Sequence, residues 1–185
     1  VLDFAFLNSM YHSGVCNPID NAILACQTMP GRSAYYTRLL AQYQKTDEIP
    51  FDYARKFVST LVTEADGAGQ LIIKGDIAHV VARCGFVEYR DAILPMDEDK
   101  MRSVASVVDE MLQDGMKVIA VARKRIEKQN RILPEDEQSM ILMGYLAFFD
   151  APKKTVKTSV EALKRLKVTP KILTGDQADV AVSVC

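Results

Sequence analysis

The sequence predicts an α/β protein of α+β character: a twisted antiparallel sheet flanked by helices, followed by a partial strand–helix–strand piece of a parallel α/β domain. Two strand-like runs, residues 57–63 and 70–73, are joined by a short glycine-containing turn, which is the pattern of a β-hairpin. Residues 98–113 repeat apolar side chains at helical spacing. Towards the C-terminus the order becomes strand, helix, strand, which indicates the start of a parallel unit.

Composition and charge exclude several classes of protein. Of the 185 residues, 49% are hydrophobic and 25% are charged, and the formal net charge is -1, as in an ordinary soluble domain. This balance argues against a nucleic-acid-binding protein, whose binding face is strongly basic. No apolar run approaches the ~20 residues needed to cross a bilayer. The N-terminus at Val1 has neither a basic segment nor an initiator methionine, so we expect no signal peptide and a chain cut from a longer protein.

A structural metal site is not expected. The sequence has four widely spaced cysteines without a C-x-x-C pair, and two histidines: Cys16, Cys26, Cys84, Cys185, His12 and His79. Zinc sites need closely spaced sets of such ligands. We therefore interpret the cysteines as buried or unreactive thiols in a reducing compartment, and His79 as a solvent-facing side chain.

Local signals predict the individual elements. Asn17 caps a helix that begins at Pro18, whose missing N–H would be unpaired in a first turn anyway, and that runs to about residue 26. Hydrophobic periodicity and helix-breaking residues predict the other elements. Helices are expected at 2–11, within 29–42 (with a face of Tyr35, Leu39 and Leu40), at 75–83, at 98–113 after the cap Asp97, and at 156–166. Strands are expected at 43–49, 117–125, 140–149 and 170–173, a small hairpin at 86–94 and an exposed loop at 127–138. The helix at 98–113 is expected to turn six apolar side chains inward: Met101, Val104, Val107, Val108, Met111 and Leu112.

The ends of the central hairpin suggest a binding site. The turn folds the second strand back on the first, so we expect the ring of Phe51 and the ammonium of Lys74 to face one another on an open sheet. Gly75 has no side chain to block a ligand. A ring, a cation and open backbone together suit a purine base.

Two further groups have alternative interpretations. Asp20 lies in the first turn of the helix that begins at Pro18, where a carboxylate compensates the helix dipole; it also suits the exocyclic amino group of adenine. Arg123 and Lys124 follow a buried apolar run. With Arg125 they form a solvated strand end, or they meet the phosphates of a nucleotide that lies across the sheet.

Several short motifs occur in a fixed order along the chain: Asn17-Pro18-Ile19-Asp20, Pro50-Phe51, Lys74-Gly75, Asp150-x-Pro152-Lys153 and Lys171-Ile172-Leu173-Thr174-Gly175-Asp176. Singly they are weak signals. In this order, over essentially the whole chain, the sequence resembles the cytoplasmic part of P-type cation-transporting ATPases, and most closely the bacterial magnesium-transporting pumps. Residues 143–150 also look like the magnesium-pump form of the strand that returns to the phosphorylation domain.

The resemblance implies a nucleotide-binding domain at residues 1–149 and, at 150–185, an incomplete segment of a haloacid-dehalogenase-like phosphorylation domain. It implies that Phe51 stacks on adenine, that Lys74 and Gly75 line the same pocket and that Asp20 lies near the base. It further implies that five other residues lie near the nucleotide: Tyr53, Arg55, Lys56, Arg123 and Lys124. The motif residues of the phosphorylation domain would be Asp150, Pro152, Thr174, Gly175 and Asp176.

The chain also departs from the family pattern. Tyr53 stands where many relatives carry an arginine, which leaves Arg55 and Lys56 as the nearby cations for a phosphate. Ala151 replaces the first proline of the usual D-P-P hinge, which implies a less stiff hinge. The D-K-T-G-T and G-D-G-x-N-D segments and the transmembrane helices are not in this sequence. By resemblance, the chain therefore binds Mg-ATP, with the Mg²⁺ held mainly by residues outside it, but neither forms the aspartyl-phosphate nor moves an ion by itself.

The resemblance implies a cytoplasmic domain of an integral membrane protein. The implied partners are ATP and the phosphorylation, actuator and transmembrane domains of the same pump. Nucleic acid is not expected as a partner. The strand edge at 170–174 lacks the strands that it would normally pair with, so we expect it to be poorly ordered, packed elsewhere or paired with a second copy. Three alternatives stay open: a pump for another cation such as calcium, a soluble hydrolase that uses Asp150 and Asp176, and an interaction domain that no longer binds nucleotide.

Overall fold

A computed structural model describes residues 1–127, 129–149 and 156–171 of the chain. The helices are α1 (Leu2–Tyr11), α2 (Pro18–Ala25), α3 (Ser33–Gln42), α4 (Ile77–Val81), α5 (Glu98–Gln113) and α6 (Val156–Arg165), with short 3-10 turns at Cys26–Thr28 and Pro134–Glu137. The strands are β1 (Tyr43–Ile49), β2 (Phe57–Glu64), β3 (Gly69–Gly75), β4 (Cys84–Tyr89), β5 (Ala92–Pro95), β6 (Met116–Ile126) and β7 (Met140–Phe149). The predicted helix at 2–11 and strands at 43–49 and 140–149 are confirmed at these bounds.

The strands form a seven-stranded sheet in the order β1-β2-β3-β6-β7-β4-β5. The pairs β1/β2, β2/β3, β3/β6 and β4/β5 are antiparallel, whereas β4 pairs with β7 in parallel. The chain between β4 and β7 contains α5 and β6, which is long enough for the crossover that parallel pairing needs. The predicted α+β architecture is confirmed, with a sheet that is mixed rather than wholly antiparallel.

The hairpin of β2 and β3 pairs Phe57 with Gly75 at its open end. Its turn is closed by the N–H of Gly67, which donates to the carbonyl of Glu64 at 2.9 Å. Gly67 has a φ of 86°, a left-handed conformation that glycine adopts without a steric penalty. The sequence prediction of a hairpin around a glycine turn is therefore confirmed.

Both faces of β2 are covered. Successive residues of a strand point to opposite faces, and residues 57–62 are all buried. On one face the Oγ1 of Thr60 lies 3.2 Å from the Nδ2 of Asn8 in α1. On the other, Ser59 donates a hydrogen bond of 2.6 Å to Glu137. The expectation of an exposed loop at 127–138 was wrong at Glu137, which is buried and contacts Arg55. The charged composition of the segment does not indicate this partner, because Arg55 is distant in sequence.

Two helices bury their faces differently from the sequence prediction. In α3 the buried ring is that of Tyr36, which lies 4.2 Å from the ring of Phe6, whereas Tyr35 is exposed and donates to Asp3 at 2.6 Å. In α5 only Val108 of the six expected apolar residues is buried, and two of them are exposed: Met101 and Val107. Periodicity identifies the apolar face of a helix, but how much of it is covered depends on neighbours that periodicity does not specify.

The chain divides into two compact units. The first comprises Val1–Met101 and Val118–Leu146, and the second comprises Arg102–Lys117 with the described residues after Leu146. Every residue that the sequence assigns to the nucleotide lies in the first unit. The domain boundary at 149/150 stays a prediction, as do the roles of Asp150, Pro152, Thr174, Gly175 and Asp176, because these residues lie outside the described part of the chain.

Asn8 joins α1 to the central hairpin. Its side chain is fully buried, and its Nδ2 lies 3.3 Å from the carbonyl oxygen of Val58, 3.2 Å from Thr60 Oγ1 and 3.1 Å from the carbonyl oxygen of Ile72. One amide thus contacts both strands of the hairpin. Buried polar groups are stable only when they are hydrogen-bonded, so this helix and this hairpin depend on one another.

Replacing Asn8 by alanine is expected to lower the free energy of unfolding by about 2–3 kcal/mol, because the acceptors on β2 and β3 stay buried without their donor. Urea denaturation followed by circular dichroism measures this change. Asn21→Ala is the matched control, since Asn21 is exposed on α2. Equal destabilisation by the two substitutions would show that the Asn8 contacts contribute nothing specific.

Candidate functional site

Residues 50–56, called the aromatic loop below, present two rings to solvent. Phe51 is 50% exposed and Tyr53 is 90% exposed. Their ring centroids lie 5.6 Å apart at an interplanar angle of 82°, an edge-to-face pair. The Oδ1 of Asp52 accepts from the N–H of Ala54 at 2.7 Å and from that of Arg55 at 2.9 Å, which makes a local turn of the kind that Asp favours. The loop is thus shaped by its own side chains while its rings stay accessible.

Arg55, one of the two cations of the aromatic loop that the sequence assigned to a phosphate, is partly buried and contacts groups of the protein itself. Arg55 pairs with Glu137, donates to Ser59 Oγ at 2.9 Å and donates to the carbonyl of Pro50 at 3.1 Å. Its guanidinium carbon also lies 4.6 Å from the ring centroid of Phe57. Lys56, by contrast, is exposed at the end of the loop. The two neighbouring cations therefore have different surroundings.

Lys74 and Asp20 form a buried ion pair. Lys74 is 6% exposed and Asp20 is 2% exposed. The ammonium of Lys74 contacts Asp20 Oδ1 and Ser9 Oγ, and Ser9 in turn donates to Asp20 Oδ1 at 2.9 Å. The expected arrangement, with the ammonium on an open sheet opposite a ring, was wrong in this respect, because a nearby carboxylate draws the buried cation to itself.

His12 completes this group, which we call the Asp20 cluster (Ser9, His12, Asp20 and Lys74). The Nδ1 of His12 accepts from the N–H of Gly14 at 3.1 Å, and the other ring nitrogen, Nε2, faces Asp20. That nitrogen lies 3.2 Å from Asp20 Oδ2. Asp20 also occupies the first turn of α2, where its N–H donates to Asn17 Oδ1 at 2.9 Å in a capping box. The predicted cap is confirmed.

The surroundings of Asp20 favour its charged form. Burial by itself raises the pKa of this carboxyl, but the contacts with His12, Lys74 and Ser9 outweigh burial and hold the pKa well below its usual range. Burial lowers the pKa of the Lys74 ammonium, and the attraction of Asp20 opposes that change. The contact between the Asp20 carboxylate and Lys74 joins the start of α2 to β3.

Gly75 is required by the hairpin itself. A Cβ at this position would lie 2.4 Å from the carbonyl oxygen of Lys56 and 2.5 Å from the Cα of Phe57. The N–H of Asp76 also donates to that carbonyl of Lys56 at 3.0 Å. The absence of a side chain thus allows the aromatic loop to approach the end of β3, which is a reason distinct from the room for a ligand that the sequence suggested.

The basic residues at the end of β6 contact acidic or carbonyl groups of the same unit. Arg123 donates to Glu88 at 3.1 Å, and its guanidinium carbon lies 5.4 Å from the ring centroid of Phe4. Lys124 donates to the carbonyls of Asp136 and Gln138, each at 3.0 Å. Neither contact requires a ligand, and a role of these cations toward phosphate stays a prediction.

Three functional candidates were not apparent from the sequence: Ser9, His12 and Glu137. No local motif marks them, and two of the contacts join distant segments: Ser9 and Lys74 are 65 positions apart, and Arg55 and Glu137 are 82. His79, expected at the surface, is partly exposed and pairs with Asp76. Burial raises the pKa of the Cys84 thiol to about 12, in line with an unreactive thiol, whereas Cys16 is exposed.

Among the described residues, no group of three or more His, Cys, Asp or Glu side chains is arranged to hold a metal ion. Within the same residues, none of the helices has the length and apolarity needed to cross a bilayer.

This chain is similar in sequence to several known proteins. The family model for the P-type ATPase cytoplasmic domain N matches residues 10–155. Magnesium-transporting ATPase, P-type 1, of Escherichia coli (strain K12) is 38% identical over 187 residues, which cover 100% of this chain and 20% of that protein. The protein of the same name from Salmonella typhimurium (strain LT2) is 38% identical over 186 residues, with the same coverage. A calcium-transporting ATPase of Listeria monocytogenes is 28% identical over 169 residues, 91% of this chain and 19% of that protein. The chain thus spans about a fifth of the length of the curated relatives it matches.

Removing the cation of the buried pair is expected to destabilise the first unit strongly. Lys74→Met should lower the free energy of unfolding by about 3–5 kcal/mol, since it leaves the Asp20 carboxylate buried without its cation. Lys45→Met is the control: it removes the cation of the more exposed Lys45–Glu48 pair and should cost less than about 1 kcal/mol. Urea denaturation measures both.

A double-variant cycle tests whether this cost arises from the pair. Asp20→Leu combined with Lys74→Met should be destabilised by less than the sum of the single substitutions, because no charge is left buried alone. Simple additivity would mean that the two groups do not interact.

The low pKa of Asp20 predicts a specific pH dependence. The folded pKa lies below the unfolded value of about 3.9, so the stabilisation is complete above that value and is lost as the pH falls through it towards the folded pKa. The difference in unfolding free energy between wild type and Asp20→Asn should therefore stay constant above about pH 5 and shrink as the pH falls from about 5 to about 2. A difference that does not change over this range would show that Asp20 titrates normally in the folded protein.

Proposed function

Because this chain belongs to the P-type ATPase cytoplasmic N-domain family, we propose that it binds the adenine end of ATP for a pump that moves a cation, magnesium in the first instance, across a membrane. The observation that carries the proposal is the aromatic loop, which holds the exposed rings of Phe51 and Tyr53 on a turn shaped by Asp52. An exposed ring on an ordered backbone is suited to stacking on a base.

The described residues have different parts in this proposal. Phe51 stacks on adenine, and Tyr53 supports it at the edge. Lys56, which is exposed at the end of the aromatic loop, is the cation that meets the phosphates, since Arg55 is paired with Glu137. Asp20 and Lys74 join α2 to β3, whose end at Gly75 lies against Lys56 of the aromatic loop.

In the pump, this domain presents the γ-phosphate of ATP to an aspartate of the phosphorylation domain. The contribution of the domain is positioning, and charge neutralisation by Mg²⁺ comes mainly from residues outside this chain. Base stacking on an aromatic ring is worth about 1–3 kcal/mol. After the cost of ordering, the affinity of the isolated domain is expected nearer ~1 mM than ~1 µM, which also allows ADP to leave.

Magnesium is favoured over calcium as the transported ion by the degree of similarity. The relatives named as magnesium-transporting ATPases are 38% identical over the full chain, and the calcium-transporting relative from Listeria is 28% identical over less of it. Ion selectivity resides in the membrane helices of such pumps, so this assignment rests on relatedness and not on any residue of the site.

A titration with nucleotides tests the proposal. Amide-shift NMR with ATP, AMP and GTP is expected to show saturable shifts near Phe51 and Lys56 for the adenine nucleotides, and to lose them in Phe51→Ala. Tyr89→Ala is the matched control, since Tyr89 is an exposed ring on β4, away from the aromatic loop in the strand order. Absence of shifts at millimolar ATP in the wild type would favour an interaction domain that does not bind nucleotide.

A further inference from the structure

Glu137 is a fully buried carboxylate on the short turn Pro134–Glu137. Its Oε1 accepts from Ser59 Oγ at 2.6 Å and contacts the Nη2 of Arg55. A buried carboxylate is tolerated when it is paired and hydrogen-bonded. Oε1 meets both conditions, whereas Oε2 is buried and has no hydrogen-bond partner among the described residues. The position of this carboxylate therefore specifies where the guanidinium of Arg55 lies.

The same guanidinium extends the contact to the aromatic loop. While its Nη2 faces Glu137 and Ser59, its Nη1 donates to the carbonyl of Pro50 at 3.1 Å. That carbonyl belongs to the peptide bond that leads directly into Phe51. A continuous set of polar contacts thus runs from Glu137 through Arg55 to the backbone beside the exposed ring.

The turn that carries Glu137 is itself held in place. Lys124 donates to the carbonyls of Asp136 and Gln138, one on each side of Glu137. Asp136 in turn accepts from the N–H of Leu133 at 2.9 Å. The carboxylate is consequently presented by a fixed backbone, so it can hold Arg55 in one position.

From these contacts we infer that Glu137 is a positioning residue for the aromatic loop: through Arg55 it holds the loop in the conformation that presents Phe51 to a base. The inference rests on the proposed function for the identity of the ligand. Ordering a loop before the ligand arrives lowers the entropic cost of binding, so loss of this order should weaken affinity without removing any group that touches the nucleotide. A purely structural ion pair would instead affect stability and leave the loop unchanged.

The test compares the intact chain with Glu137→Gln, which keeps the shape of the side chain but removes its charge. Backbone ¹⁵N relaxation of residues 51–56 is measured without nucleotide, and the Kd for AMP is measured by NMR titration. We expect lower order parameters in the loop and about a tenfold increase in Kd. Glu48→Gln is the matched control: Glu48 is a half-buried, paired carboxylate whose partners are Ser13 and Lys45. It should change neither quantity.

A second variant keeps the test decisive if Glu137→Gln does not fold. The double variant Arg55→Gln/Glu137→Gln leaves no buried charge unpaired and removes the contact to the carbonyl of Pro50, so we expect a folded protein with a disordered loop. Unchanged order of residues 51–56 in a folded variant would overturn the inference, as would equal disorder in Glu48→Gln. If the wild type binds no AMP, the proposed function fails, and the relaxation comparison still decides the positioning role.

Discussion

The buried ion pair between Lys74 and Asp20 is the contact on which the rest of the first unit depends. A lysine in the middle of a sheet is costly to desolvate unless a carboxylate meets it. Asp20 can meet it only when α2 starts where Asn17 caps it, and its carboxylate contacts both Ser9 of α1 and His12 just beyond that helix. One charge on β3 thus specifies how α1 and α2 pack on the sheet.

The central hairpin makes polar contacts on both of its faces. Thr60 faces Asn8 of α1, and Ser59, the preceding residue, faces Glu137 of the later turn. Successive residues of a strand point in opposite directions, so two adjacent polar side chains connect β2 to segments that are distant from each other in sequence. Small hydroxyl side chains suit this role because each one both donates and accepts hydrogen bonds without filling much space.

The result is a separation between groups that hold the domain together and groups that remain available. Arg55, Arg123 and Lys124 are each engaged with an acidic or carbonyl partner of the same unit. Phe51, Tyr53 and Lys56 are exposed. In the proposed nucleotide site, recognition would lie on one short loop and its support in the core, an arrangement that suits weak binding and release of product.

The sequence by itself determined the elements and their kind. The cap at Asn17, the glycine turn of the hairpin and the strand-like run 57–63 depend on local backbone and side-chain preferences, and these can be interpreted within a few residues. Motif order likewise identified the family, which the match over residues 10–155 confirms. The assignment of individual residues to nucleotide contacts stays a prediction.

Only the tertiary structure decided which charges are buried and with whom. Lys74 and Asp20 are 54 positions apart, and Arg55 and Glu137 are 82 apart, so no window of sequence contains either pair. A charged residue is read from sequence as solvated, because solvation is the usual outcome when no partner is known. Burial of a charge depends on a partner that the fold brings close. For this reason Glu137 and Lys74, which the sequence predicted to be exposed, are buried in the structure.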